Sequence, residues 1–153
     1  MTAKKIGTTE TLDIVVYAFP VPFDIDLFTS HMLHRTAHMF MRKGEIESCF
    51  VAVSELDFET QRPPSTLSVI VPKRGHAATS IRADVREYLE RSKAIAVAST
   101  SESDDRLTIV IEWKRHRSAF TAQKIEGLVL APWQRALPGV AFPLLPVGRD
   151  DLQ

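Results

Sequence analysis

The stretch that most constrains the fold runs from Pro22 to Gly44, PFDIDLFTSHMLHRTAHMFMRKG. At roughly 100° per residue, Ile25, Phe28, Met32, Thr36, Met39 and Phe40 gather into one arc. The pattern predicts an amphipathic helix with a single apolar side to bury. Asp24 or Asp26 can cap its first turn, and Gly44 can take the left-handed position after its last. A helix of this kind needs another layer against it. The preceding residues 12–19 supply a strand, alternating Leu12, Ile14, Val16 and Ala18 with Val15, Tyr17 and Phe19. Pro20 and Pro22 end that strand, because proline cannot donate to a sheet ladder.

Residues 45–58 predict a second strand, with Ile46, Phe50 and Ala52 on one side and Cys49, Val51 and Val53 on the other. The ETQRPPS stretch has the composition of a hairpin connection, and residues 66–71 form a third strand. Ser80 is the expected N-cap of a second helix, whose inner face carries Ile81, Val85, Tyr88 and Leu89. Its outer face holds Arg86–Glu90 and Glu87–Arg91, pairs each worth about 0.3 kcal/mol. Strands are expected at 94–99, 107–113 and 119–125, the last two joined by a basic turn. From Ala131 the prolines 132, 138, 143 and 146 exclude a long helix and favour extended backbone.

This order predicts an α+β protein: a largely antiparallel sheet of five to six strands with two helices on one face, compatible with a ferredoxin-like order. The expected division is a frayed N-terminus (1–10), one domain (11–131), and a proline-rich apolar tail (132–153) packed on the domain or on a partner. Val15, Tyr17, Val51, Val53, Ile70 and Val110 are expected on the helix-free side. Apolar side chains there need cover, from the tail or from a second copy of the chain.

Nineteen basic residues balance nineteen acidic ones in 153, which argues against a dedicated nucleic-acid coat. One cysteine, Cys49, excludes an internal disulfide, and its strand phase predicts a buried, inert thiol. No leader-like apolar segment follows the first lysines, and no apolar run approaches the roughly 20 residues of a membrane helix. The expectation is a soluble, cytoplasmic protein that does not engage a membrane.

Three constellations could carry chemistry. His31, His34 and His38 lie opposite the apolar arc at i+3 and i+4 spacings, which suit a shared metal. No acidic residue stands between them as in an H-E-x-x-H motif. The second is Glu112-x-Lys114 at the end of an apolar strand, with Gln123 downstream. This half-motif resembles the nucleases of the PD-(D/E)xK family. The resemblance implies Mg²⁺ or Mn²⁺ on Glu112, with Lys114 steering the attacking water or phosphate. The chain departs from that family where it needs a metal-binding Asp on a neighbouring strand: Asp104 and Asp105 lie in the immediately preceding loop. The third is a basic patch, if Lys73 and Arg74 join Arg115 and Arg117 beside Trp113 to contact phosphates and stack a base.

No P-loop, G-x-G-x-x-G, C-x-x-C or G-x-S-x-G element occurs, so no cofactor is expected. The sequence thus predicts a non-catalytic binding or interaction protein acting as a homo-oligomer or with a protein partner. A metal-dependent phosphodiesterase and nucleic-acid binding through the basic turns are the alternatives.

Overall fold

The computed structural model describes residues 3–5, 10–19, 23–54, 65–114, 116–137 and 144–145. Helix α1 (Ile25–Lys43) forms over the predicted arc and buries Phe28, Met32, Thr36 and Phe40. Asp24 caps it, its carboxylate accepting from the N–H groups of Asp26 at 2.8 Å and Leu27 at 3.2 Å. Gly44 ends it at φ 76°, its N–H donating to the Phe40 carbonyl. A Cβ there would lie 3.3 Å from a Leu128 methyl, so glycine suits both the backbone and the packing.

Among the described residues nine strands form one sheet: β1 (Ala3–Lys5), β2 (Leu12–Phe19), β3 (Phe50–Ser54), β4 (Ser65–Pro72), β5 (Ala94–Glu102), β6 (Arg106–Trp113), β7 (His116–Ile125), β8 (Val129–Leu130) and β9 (Gln134–Ala136). Their order is β1-β2-β4-β3-β5-β6-β7-β8, with β9 also on β7. Every pairing is antiparallel. The sheet is larger than the expected five to six strands because short segments add to both ends. β3 begins later than expected, at Phe50, and residues 55–58 of the expected strand lie outside the described residues. Before it, Ile46 N–H donates to Glu102 Oε1 at 2.9 Å and Cys49 N–H to Thr100 Oγ1 at 3.1 Å. Side chains of β5 there satisfy backbone groups that a ladder would otherwise pair. The ETQRPPS connection and Pro138, Val140, Phe142, Pro143 and Pro146 of the tail lie outside the described residues, except that Ser65 begins β4.

The helices lie on opposite faces, contrary to the expectation of one shared face and a ferredoxin-like order. α1 packs with Val51 and Val53 of β3, Leu67 of β4, Ala96 and Ala98 of β5, and Ile109 and Ile111 of β6. α2 (Ala78–Arg91) packs with Leu12, Ile14, Ala52, Ile70 and Val97 from the other phase of the strands. Strand order explains this. β2→α1→β3 and β4→α2→β5 each cross one strand in the same lateral direction, but β2 and β4 run antiparallel. Two crossovers of the same, right-handed sense must then pass over different faces. Had β5 joined beside β2 instead of β3, both helices would share a face.

Neither face is therefore helix-free. Tyr17, Val51 and Val53 lie on the α1 side, whereas Ile70 lies under α2. Leu144 and Leu145 add to the α2-side core. Among the described residues, no helix is long and apolar enough to cross a membrane.

Candidate functional site

α2 covers β2, β4, β3 and the near side of β5, leaving a bay over β5, β6 and β7 on the same face. In that bay is a cavity of about 340 Å³. Its apolar wall comes from Phe50 of β3, Ile81 of α2, Val110 of β6 and Leu144. Its charged groups are Arg82, Arg117 and Glu112. Strand register brings two of them together, since Glu112 pairs directly with Arg117 across β6 and β7. Arg82 reaches the site from the first turns of α2.

The start of α2 also differs from expectation. Ala77, not Ser80, is the N-cap residue, and no side chain caps the helix. Ser80 instead lies inside the first turn and is exposed. The helix begins earlier because Ala77 already has the extended backbone of a cap (φ −66°, ψ 144°). Ala78 lines the cavity, so the positive end of the helix dipole and the first-turn N–H groups border it.

Glu112 is only 5% exposed. Its carboxylate accepts the Leu144 N–H through both oxygens, at 2.9 and 3.1 Å, and the Leu145 N–H as well. Burial pushes its carboxyl up from its ordinary value. The Leu144 N–H, Arg117, the Leu145 N–H and Arg82 oppose that rise without cancelling it. Glu112 thus ties Leu144 and Leu145 to the sheet.

Lys114 does not face Glu112 across one pleat. At φ 53° it leaves the strand, and its ammonium lies 4.8 Å from the centre of the Trp113 ring, on the α1 side. The alternation rule that places i and i+2 on one side stops where β6 turns. Asp105 is bound by Arg106 at 2.8 Å and sits roughly 20 Å farther along β6 from Glu112. Among the described residues, no group of three or more His, Cys, Asp or Glu is placed to hold a metal ion.

The two basic turns are also apart. Trp113 shares a row with Ala96, Val53 and Leu67, while Lys73 and Arg74 follow Pro72 at the other end of β4. That is a separation of roughly 20 Å. Arg117 lies on the α2 side and Trp113 on the α1 side, stacked against His116 at 5.8 Å. Arg115 lies outside the described residues. His31, His34 and His38 are all exposed along α1, and the rings of His34 and His38 are near-parallel at 6.4 Å.

Sequence reasoning missed Arg82, although it carried a signal. Arg82 lies at i−3 from Val85 and i−7 from Leu89, so a cation sits on the inward arc of α2. No protein-family model, curated protein or solved structure matches the chain.

Proposed function

We propose that the chain is a non-catalytic binding protein that takes a small organic anion in the cavity on the α2 face. The observation that carries this reading is the cavity's lining, apolar walls around two guanidinium groups at a volume within the range of small-ligand sites. An apolar ligand body lies against Phe50, Ile81 and Val110. Its carboxylate, sulfonate or phosphate lies toward Arg82, Arg117 and the first turn of α2. Glu112, spanned by backbone donors, serves as an anchor rather than a reacting group.

The fluorescent probe anilinonaphthalene sulfonate, an apolar ring system with one anionic group, tests this. Its emission is expected to rise with the parent protein, and medium-chain carboxylates are expected to displace it. Val110→Trp, which fills the cavity floor, is expected to abolish the rise. An unchanged rise in that variant removes the reading. Mg²⁺- or Mn²⁺-dependent cleavage of labelled DNA or RNA, lost in a folded Glu112→Ala variant, would replace it with the phosphodiesterase.

A second reading, homodimerisation, is favoured by a specific surface. Ile125, Leu128 and Val129 are each about half exposed within one turn, and Leu137 is almost wholly so. Clustered exposed apolar groups mark contact surfaces. Sedimentation is expected to show a dimer that Leu128→Lys/Val129→Lys converts to monomer; a strictly monomeric parent ends this reading. The cytoplasmic assignment rests on Cys49, a buried free thiol that requires no oxidising compartment.

A further inference from the structure

A second site lies along α1, lined by none of the residues that line the cavity. His34, Arg35, His38, Met39, Arg42 and Lys43 line a groove of about 300 Å³. Among the described residues no carboxylate lines it, and the ionisable groups that do are all basic. One turn before the groove, partial burial and then the charges of Arg35 and His34 push the His31 imidazole down. The same surroundings bear on the metal suggested by the histidine spacing. Two imidazoles among two guanidiniums and an ammonium repel a divalent cation and attract an anion.

The form of the groove narrows the anion. Along the helix, His34 to Lys43 spans roughly 13 Å, long enough for an extended strand rather than a single ion. The His34 and His38 rings present near-parallel faces, 11° apart. Both are exposed at the surface. The Arg35 guanidinium turns inward at one edge of the groove, one of its terminal nitrogens donating to Cys49 Sγ at 3.9 Å, which leaves its other N–H groups for a ligand. Cations that can take phosphates beside flat rings that can stack under bases are the two components of sequence-tolerant single-strand binding. An acidic peptide would satisfy the cations and leave the ring faces unused.

We propose that this groove binds single-stranded nucleic acid, with Arg35, Arg42 and Lys43 on consecutive phosphates and His34 and His38 stacking on bases. The contacts are to phosphate and to base faces, so RNA and DNA strands bind alike and without strong sequence preference.

Fluorescence anisotropy of the full chain with short labelled oligouridine and oligothymidine tests this. The expected result is binding that weakens between about 50 and about 200 mM salt, with a log–log slope of about −2 for three phosphates. Arg42→Glu/Lys43→Glu is expected to abolish binding. His34→Ala/His38→Ala is expected to weaken it about tenfold with the salt slope unchanged. Thermal melts establish that both variants remain folded. No binding at the low-salt end, or unchanged binding in the folded Arg42→Glu/Lys43→Glu variant, overturns the proposal. Unchanged affinity on removal of the histidines, or equally tight binding of oligoglutamate, overturns it in favour of an acidic peptide.

Discussion

Glu112 carries its carboxylate into the α2-side core, where water no longer offsets its charge, and two backbone donors from the C-terminal segment meet it there. Burial raises its folded pKa above the ordinary 4.5. The folded state therefore holds a proton that the unfolded chain has released, and stability falls as pH rises across that interval. Its contribution is fully present below about pH 4.5 and is lost as pH passes the raised value. Glu112→Gln keeps an acceptor for Leu144 but cannot ionise. In urea unfolding, its stability relative to the parent is expected to shift in its favour from pH 4.5 toward about pH 8. Glu112→Ala leaves the Leu144 N–H without its acceptor and is expected to cost about 1–3 kcal/mol at pH 4.5, a cost that shrinks as pH rises because alanine cannot ionise either. A parallel pH dependence of parent and Gln variant would show that the carboxyl is not the group titrating. Thr36 presents the reverse case: it is 2% exposed within α1, and its hydroxyl has no hydrogen-bond partner among the described residues. Valine has the same shape and a similar helix propensity, so Thr36→Val is expected to stabilise the protein by about 1 kcal/mol. A lower thermal midpoint would mean the hydroxyl is satisfied after all.

The two helices differ in how fully their sequences define them. α1 was legible from end to end, because its apolar arc, its Asp24 cap and its Gly44 terminus all act within a few residues of one another. α2 was legible in its buried arc of Val85, Tyr88 and Leu89. Its start was not, because the chain enters through Ala77, a residue with no capping group to mark the position. A missing cap costs about 1 kcal/mol, and here the exposed N–H groups border the cavity. Ala77→Asp should therefore do two things at once. It is expected to raise stability by about 1 kcal/mol in denaturant unfolding, since the cap backbone is already extended. It is also expected to weaken binding of anilinonaphthalene sulfonate, because the new carboxylate takes the first-turn donors and adds a negative charge. Stabilisation with undiminished probe binding would place the anionic head group elsewhere in the cavity.

At the scale of the whole molecule, antiparallel β-rich character was legible in the alternation of each strand, but which strands are neighbours was not. Val51 and Ala52 are both apolar, as are Val69 and Ile70, so alternation gives each strand two buried sides without saying which helix covers which. Only the insertion of β5 beside β3 decides that, and it depends on long-range pairing absent from any local pattern. The same long-range choice creates the bay over β5–β7 and explains the site that sequence reasoning missed: Arg82 meets Glu112 and Arg117 only because α2 crosses the face opposite α1. It also gives Leu144 and Leu145 a place to dock. Leu144 and Leu145 are both buried there and both donate their N–H groups to Glu112. Full burial of one leucine side chain is worth about 1.5–3 kcal/mol, an upper bound because the unfolded chain already buries part of it. A chain ending at Leu137 loses both leucines and leaves the Glu112 carboxylate without its backbone donors. It is expected to unfold at markedly lower urea, with a loss of up to about 3–6 kcal/mol from leucine burial. Leu144→Ala/Leu145→Ala in the full chain keeps the backbone donors, so it should lose less than the truncation. The difference between the two sets an upper bound on what the Glu112 anchor contributes, since truncation also removes residues 138–143 and 146–153. Equal losses would mean that packing alone holds the segment, and an unchanged midpoint on truncation would mean that it adds nothing to the stability of the sheet.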